Sequence, residues 1–360
     1  MKSLYLVSSC GSDGSIFLVD LDQKKTWPIS SGDSRGIGLC KNGAWVASNS
    51  DLIRLDRNFK INHKYRIVAE GLQAKVRRNI FFRNLVIGPD SSSALVRKLT
   101  RGFERLLPRL PLRRMSLDLH DVNIYQNVLY VVMSRYNCVA MFQVEQERIL
   151  QPAGFIYIDT HDDDLRHVNS IYPASNGLYM TMFSLKGRDI NSKKRWSQML
   201  DGGLILIKWE DIQAQINHNG QVSQKRESVR YEIMYKSIIR PHSIQFFDNW
   251  FYVCESADHR ICRISSSGKV VERFAQLPGG YIRGLYVDDK KIVAGASTTK
   301  NHSTAKKKWG EAGLWYANRP LGLTDNGYNW EFLPVPAVSE IYDIKKLQNI
   351  SQTNGQYQFT

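Results

Sequence analysis

The 360 residues carry 49 Lys and Arg against 34 Asp and Glu, a formal net charge of +15, and 42% of them are hydrophobic. That hydrophobic share supports a packed core and excludes a disordered chain, while the charge favours anionic partners without choosing among phosphates, carboxylated sugars, nucleic acid and lipid head groups. The apolar run at the N-terminus is too short for a secretory signal and no stretch approaches a membrane span, so a cytoplasmic protein without a transmembrane segment is expected.

In chain order, SLYLVSS (3–9) and SIFLVDL (15–21) are predicted as strands, and they fit the second and third strands of a repeat that recurs later. Residues 34–56 give a first, second and third strand around the turn KNG (41–43), with a fourth near 62–69. Further repeats run from near Ser116 to about Ile158, from His167 to about Tyr235, from His242 to about Phe274, and from 281 to 335. EIYDIKKL (340–347) fits only a first strand, the one the N-terminal repeat lacks. The prediction is an all-β, six-bladed β-propeller over 1–347, its ring closed by N-terminal strands pairing with the C-terminal strand, followed by a tail at 348–360. Two stretches read as helical: a basic insertion near 91–107, with Leu95, Leu99, Phe103 and Leu106 at helical spacing, and WEDIQAQI (209–216). The five cysteines (Cys10, Cys40, Cys138, Cys254, Cys262) form no CxxC pair and are expected to be reduced, most of them in strands.

Three stretches look like copies of one another: LHDVNIYQNVLYVVMS (119–134), RHVNSIYPASNGLYMTMFS (166–184) and PHSIQFFDNWFYVCES (241–256). Aligned by their alternating apolar residues, they put His120, His167 and His242 at one repeat position, and residues at one step of a ring of repeats converge on its axis. Arg35, Arg283 and Glu340 fall at or within one residue of the same position. Three imidazoles and a carboxylate suit a divalent first-row metal, Mn, Fe or Zn, better than calcium, which prefers an all-oxygen shell. The expected ligands are His120, His167, His242 and Glu340. Asp121 would orient an imidazole or hold a proton, Asn169 would bind a substrate hydroxyl, and Arg283 or Arg35 would grip an anion. Metal-free catalysis and a purely structural role for the histidines are the alternatives.

Basic insertions at 75–114, 185–200 and 298–311, the last with Lys306 to Lys308, are expected on the face that holds the histidines, where Lys306 would add to substrate binding. Their shared face favours a small anionic substrate or an acidic partner. A protein or membrane surface touched by 91–107 is a further option. No nucleic-acid module is recognisable, and a histidine cluster has no use in sequence-tolerant nucleic-acid binding.

The succession His120-Asp121, His167 with Asn169, Pro241-His242-Ser243 and Arg283-Gly284, each opening a repeat, resembles an uncharacterised family of bacterial propeller proteins of unknown function. HVNSIY (167–172) is more distantly similar to strand openings of gluconolactonase and strictosidine-synthase propellers, which hold calcium through Asn, Asp and Glu; the histidines depart from that pattern. The resemblance implies a fold and no activity. From the residues, the leading expectation is a metal-dependent enzyme acting on a small anionic carbohydrate, uronate-type or phosphorylated, by elimination, hydrolysis or epimerisation, with Asp121, Arg283 and Arg35 as catalytic groups. The rival expectation is a non-catalytic propeller that holds an acidic glycan or a protein on its basic face.

Overall fold

Apolar runs broken every six to eight residues by turn signals fold as short antiparallel strands, and the turns show why. Gln126–Asn127 and Asp248–Asn249 take left-handed φ at both positions, 49° and 61° in one, 51° and 61° in the other. Two-residue turns of that kind match the twist of the strands they join. A computed structural model describes residues 3–11, 13–49, 51–70, 84–89, 117–145, 148–159, 164–188, 199–220, 227–298, 311–318, 328–348, 350–353 and 356–359.

The strands form six sheets in a ring. Blade I holds β1 (Leu4–Ser9), β2 (Ser15–Asp20) and β3 (Lys25–Ser31), and blade II holds β4 (Ile37–Cys40), β5 (Gly43–Ser48), β6 (Asp51–Leu55), β7 (Ile61–Glu70) and β8 (Asn84–Pro89). Blade III is β9 (Leu119–Tyr125), β10 (Val128–Met133), β11 (Cys138–Glu145) and β12 (Arg148–Tyr157). Blade IV is β13 (Val168–Ala174), β14 (Gly177–Met182), β15 (Gly202–Lys208) and β16 (Glu232–Ile238). Blade V is β17 (Pro241–Phe247), β18 (Trp250–Glu255), β19 (Arg260–Ser265) and β20 (Val271–Gln276). Blade VI is β21 (Tyr281–Val287), β22 (Lys291–Ser297), β23 (Gly313–Asn318) and β24 (Glu331–Pro334).

β25 (Ile341–Lys346) completes blade I by pairing antiparallel with β1, from Tyr5 opposite Lys346 to Ser9 opposite Ile341. The ring is thus closed by the two ends of the chain, as the complementary half-repeats predicted. β26 (Ile350–Thr353) and β27 (Gln356–Phe359) form a hairpin in the segment read as a tail. β8 lies inside the stretch expected to be a basic connection, where the apolar run NLVIGP adds a fifth strand to blade II. The expected helix at 91–107 and Lys306 lie outside the described residues, as does most of each basic insertion. The second predicted helix is present as α1 (Trp209–Gly220).

The core is six apolar layers, one between each pair of neighbouring blades, as in the layer of Trp45, Leu52, Leu119, Val131 and Phe142 between blades II and III. Strands covered on both faces read as nearly continuous apolar runs. All five cysteines are free thiols.

The inner strands are also tied to each other by polar side chains. Asp121 Oδ2 accepts the Ile171 N–H (2.9 Å), Ser170 Oγ the Ser243 N–H (2.7 Å), Ser243 Oγ the Gly284 N–H (2.9 Å) and Asp343 Oδ2 the Ile37 N–H (2.8 Å). The two remaining joints use glycine. A Cβ on Gly36 would overlap the backbone of Asp121, and one on Gly284, at φ 66°, would lie 3.1 Å from Asp343 Cα. The repeated Arg-Gly pairs at 35–36 and 283–284 therefore mark places where one inner strand presses on an aspartate of the next blade.

Candidate functional site

Strand pairing sets the register of the candidate residues. The last residues of the second strands, Met133, Met182, Glu255, Ser297 and Ser9, face Leu119, Val168, Pro241, Tyr281 and Ile341. One residue later stand His120, Asn169, His242, Ile282 and Tyr342; one residue earlier stand Asp118, His167, Arg240, Gly280 and Glu340. His120 and His242 share a step. His167 and Glu340 stand two residues upstream of it, where Asn169 and Tyr342 take the shared place. A shift of two preserves which face of a strand a side chain is on, so apolar alternation could not detect it.

Each of these five strands also carries one extra residue beside this step. Asn169, Ser243, Gly284 and Tyr342 have no counterpart on the partner strand, and His120 with Asp121 together face Val132. Bulges re-aim side chains and sharpen local twist, and here they recur at the same end of the ring.

The side chains form a collar. His120 lies edge-on to His167 with ring centroids 5.0 Å apart, His167 is 4.5 Å from Phe183, Phe183 is 5.1 Å from His242, and His242 is 5.6 Å from Tyr281. The Arg283 guanidinium lies over Tyr281 at 4.8 Å and Tyr342 at 5.3 Å, and Tyr342 returns to His120 at 5.9 Å. Blade II adds Arg35, whose guanidinium is 3.3 Å from His120 Nδ1.

Each of the three collar histidines is anchored through Nδ1. His120 Nδ1–H donates to the Asp118 carbonyl (3.0 Å), and His167 Nδ1–H to Asp164 Oδ2 (2.7 Å). His242 Nδ1–H lies 3.1 Å from the Arg240 carbonyl and 2.6 Å from Ser256 Oγ. Because a carboxylate only accepts, Asp164 puts the hydrogen of His167 on Nδ1 and leaves its Nε2 as the basic atom; the carbonyls beside His120 and His242 favour the same tautomer, against the donor-only Arg35 guanidinium at His120 and beside a Ser256 hydroxyl that can donate or accept at His242. Burial pushes the His120 imidazole down to about 3, with Arg35 and His167 adding to the effect and Asp118 opposing it. His242 is lowered by burial and then by Arg283, so both rings are neutral at physiological pH.

The four expected metal ligands divide into separate systems. Glu340 Oε2 takes the Arg283 guanidinium at 2.7 Å and the Cys10 thiol at 3.2 Å, and the Phe183 ring stands between His167 and His242. Among the described residues no group of three or more His, Cys, Asp or Glu side chains is arranged to hold a metal ion. A three-histidine, one-carboxylate set therefore does not fit this geometry. The two expected anion clamps are likewise paired, Arg283 with Glu340 and Arg35 with Asp118 and Asp33. Burial works to raise Asp118, but His120 and Arg35 prevail and hold its carboxyl well below the usual range. Asn169 is buried; its amide donates to the Pro241 carbonyl (3.1 Å), and its Oδ1 has no hydrogen-bond partner among the described residues. The same is true of the buried Tyr342 hydroxyl.

Further along the inner strands lies a small cavity of about 10 Å³, room for one water, lined by Asp121, Ser170, His242, Tyr342, Asp343 and Lys345 among others. Burial and then the Asp343 carboxylate push the Asp121 carboxyl up to about 7, against the pull of Lys345. An unfolded aspartate titrates near 3.9. Between those values the folded chain keeps a proton the unfolded chain has lost, so stability falls as pH rises through this window, by up to about 1.4 kcal/mol per unit. Asp121→Asn is expected to remove that slope. Denaturant unfolding of both proteins at pH 5 and pH 8 checks it, and equal pH dependence would mean that Asp121 does not titrate there.

Sequence reasoning missed Phe183, Tyr281, Tyr342 and Asp118, and it read Asp164, in the acidic run before His167, as part of a solvated loop or as a metal ligand. Asp118 had a signal, since DLH (118–120) places an acid two residues before a histidine. The aromatic residues had none, because an apolar ring at a strand end reads as core.

Residues 95–354 match the family described as "Domain of unknown function (DUF4915)". No curated protein matches the chain. Among solved structures, it is similar to a hypothetical selenium-binding protein from Sulfolobus tokodaii (TM-score 0.50, 8% identity, 99% of this chain and 94% of that one). A protein of unknown function from Bacteroides caccae gives a TM-score of 0.49 at 10% identity over 96% and 98% of the two chains. A catalytically inactive virginiamycin B lyase from Staphylococcus aureus, solved with quinupristin, gives 0.41 at 12% identity over 80% and 76%. At such identities the likeness speaks to the fold alone.

Proposed function

The chain belongs to the DUF4915 family, and we propose that its axial collar is an acid–base centre acting on a small anionic carbohydrate, uronate-type or phosphorylated, by elimination, hydrolysis or epimerisation. One observation carries this reading: His167 sets Nδ1 on the Asp164 carboxylate, which leaves its Nε2 as a base, and it stands in one connected collar with His120 and His242. His167 is the base. Its side chain is 12% exposed against 9% for His120, and Asp164 would stabilise the imidazolium formed when it takes a proton. His120 and His242 stay neutral and accept hydrogen bonds from substrate hydroxyls, while the Tyr342 hydroxyl and Asn169 Oδ1 supply a donor and an acceptor at the same step. The net charge of +15 favours an anionic member of the substrate class. With Glu340 committed to Arg283, proton transfer falls to the chain's own imidazoles.

The test is turnover of a panel of uronates, uronate disaccharides and sugar phosphates, followed by NMR. Wild type is expected to convert at least one of them. His167→Gln should lose on the order of 10²- to 10⁴-fold in rate, the range for a positioned base, and Asp164→Asn should shift the pH profile. No turnover across the panel would overturn the reading, and salt-sensitive binding of an acidic glycan without turnover would favour the non-catalytic alternative.

A further inference from the structure

We propose a second binding site, for a quaternary ammonium group, in a cleft of blade VI that the collar does not use. The cleft has a volume of about 370 Å³ and is walled by Pro278, Gly279, Gly280, Ala296, Trp315 and Phe332, with Glu311 as its one charged lining residue among the described residues. That is the size range of small-molecule pockets.

The rings supply the recognition. Trp315 and Phe332 face each other across β23 and β24, with centroids 4.7 Å apart and planes tilted by 48°. The Trp315 indole is fixed by its Nε1–H, which donates to the Gly279 carbonyl at 3.0 Å. A cation over such faces is attracted by the ring quadrupoles. The neighbouring blade V shows the same chemistry at other positions: the Arg263 guanidinium lies 4.5 Å from the Trp250 ring and 5.2 Å from that of Phe274, and its Nε donates to Glu272 at 2.7 Å. In the cleft, two aromatic rings and the Glu311 carboxylate repeat that chemistry, and among the described residues no cationic side chain lies over Trp315 or Phe332 and none pairs with Glu311.

The walls decide which cation fits. A primary ammonium needs acceptors for three N–H groups. The Gly279 carbonyl already accepts from Trp315 and the Gly280 carbonyl from His259 Nδ1, while Pro278, Ala296 and the rings present apolar surface. A primary ammonium would find the Glu311 carboxylate for one N–H and give up other hydrogen bonds to water on entering, whereas a quaternary one has none to lose.

Titration calorimetry of the full chain with choline, and with dimethylbutanol as its neutral carbon isostere, tests this. Choline is expected to bind saturably and the isostere about tenfold more weakly, the size of a partly desolvated cation–π contact. Glu311→Gln, at an exposed position, should weaken choline several-fold without moving the melting temperature, and Phe332→Leu should remove most of the binding. Absence of saturable choline binding, equal affinity for the isostere, or choline affinity unchanged in Phe332→Leu would each overturn the proposal.

Discussion

Glu340→Ala is expected to cost the folded ring about 3–5 kcal/mol, the penalty for leaving one member of a buried ion pair alone. Glu340 is 0% exposed and Arg283 3%, their contact is 2.7 Å, and the guanidinium is held between the rings of Tyr281 and Tyr342. Without the carboxylate, a charge that burial opposes would remain among aromatic rings, with the Cys10 thiol as a poor substitute acceptor. Replacing both partners with apolar residues of similar volume, Arg283→Met with Glu340→Leu, is expected to recover most of that loss, because desolvation of the pair offsets much of its attraction. Denaturant midpoints of the single and double variants measure this. A single variant within about 1 kcal/mol of wild type would place the pair in water, contrary to its burial.

Removal of residues 341–360 is expected to abolish the cooperative unfolding transition. β25 supplies blade I with its inner strand, buries Ile341 and Ile344 in the layer between blades VI and I, and gives Ile37 its acceptor through Asp343. Loss of the strand would bare the ladder of β1 along Tyr5–Ser9, an open edge in the middle of a ring, and such edges pair with other chains. Size-exclusion chromatography and thermal unfolding by circular dichroism check this. A monomer that still melts cooperatively would mean that five blades and an open sixth are self-sufficient.

The ring itself was legible in the letters because its blades repeat a two-strand hairpin with a fixed turn. The incomplete repeats at 3–21 and 340–347 gave away the closure, since each lacks what the other has. The site was only partly legible. His120 and His242 were correctly given one step, but period-two alternation is blind to an offset of two, so His167 was aligned with them although Asn169 holds that place. Glu340 was read as a fourth ligand because strand position does not reveal which charge a buried carboxylate meets, and Arg283 meets it first. The collar's remaining rings, Phe183, Tyr281 and Tyr342, differ in nothing local from core aromatics and became visible only when the blades were set around an axis.

The joints between inner strands are not interchangeable. Gly36 yields to Asp121 and Gly284 to Asp343, whereas Ser170 and Ser243 offer a hydroxyl to the strand that follows. Each wedge is cut to fit one successor. Transposing two segments of the gene would bring bulk against bulk at one seam and strand an amide without an acceptor at another, while a circular permutation that preserves the cyclic order would leave all six seams intact.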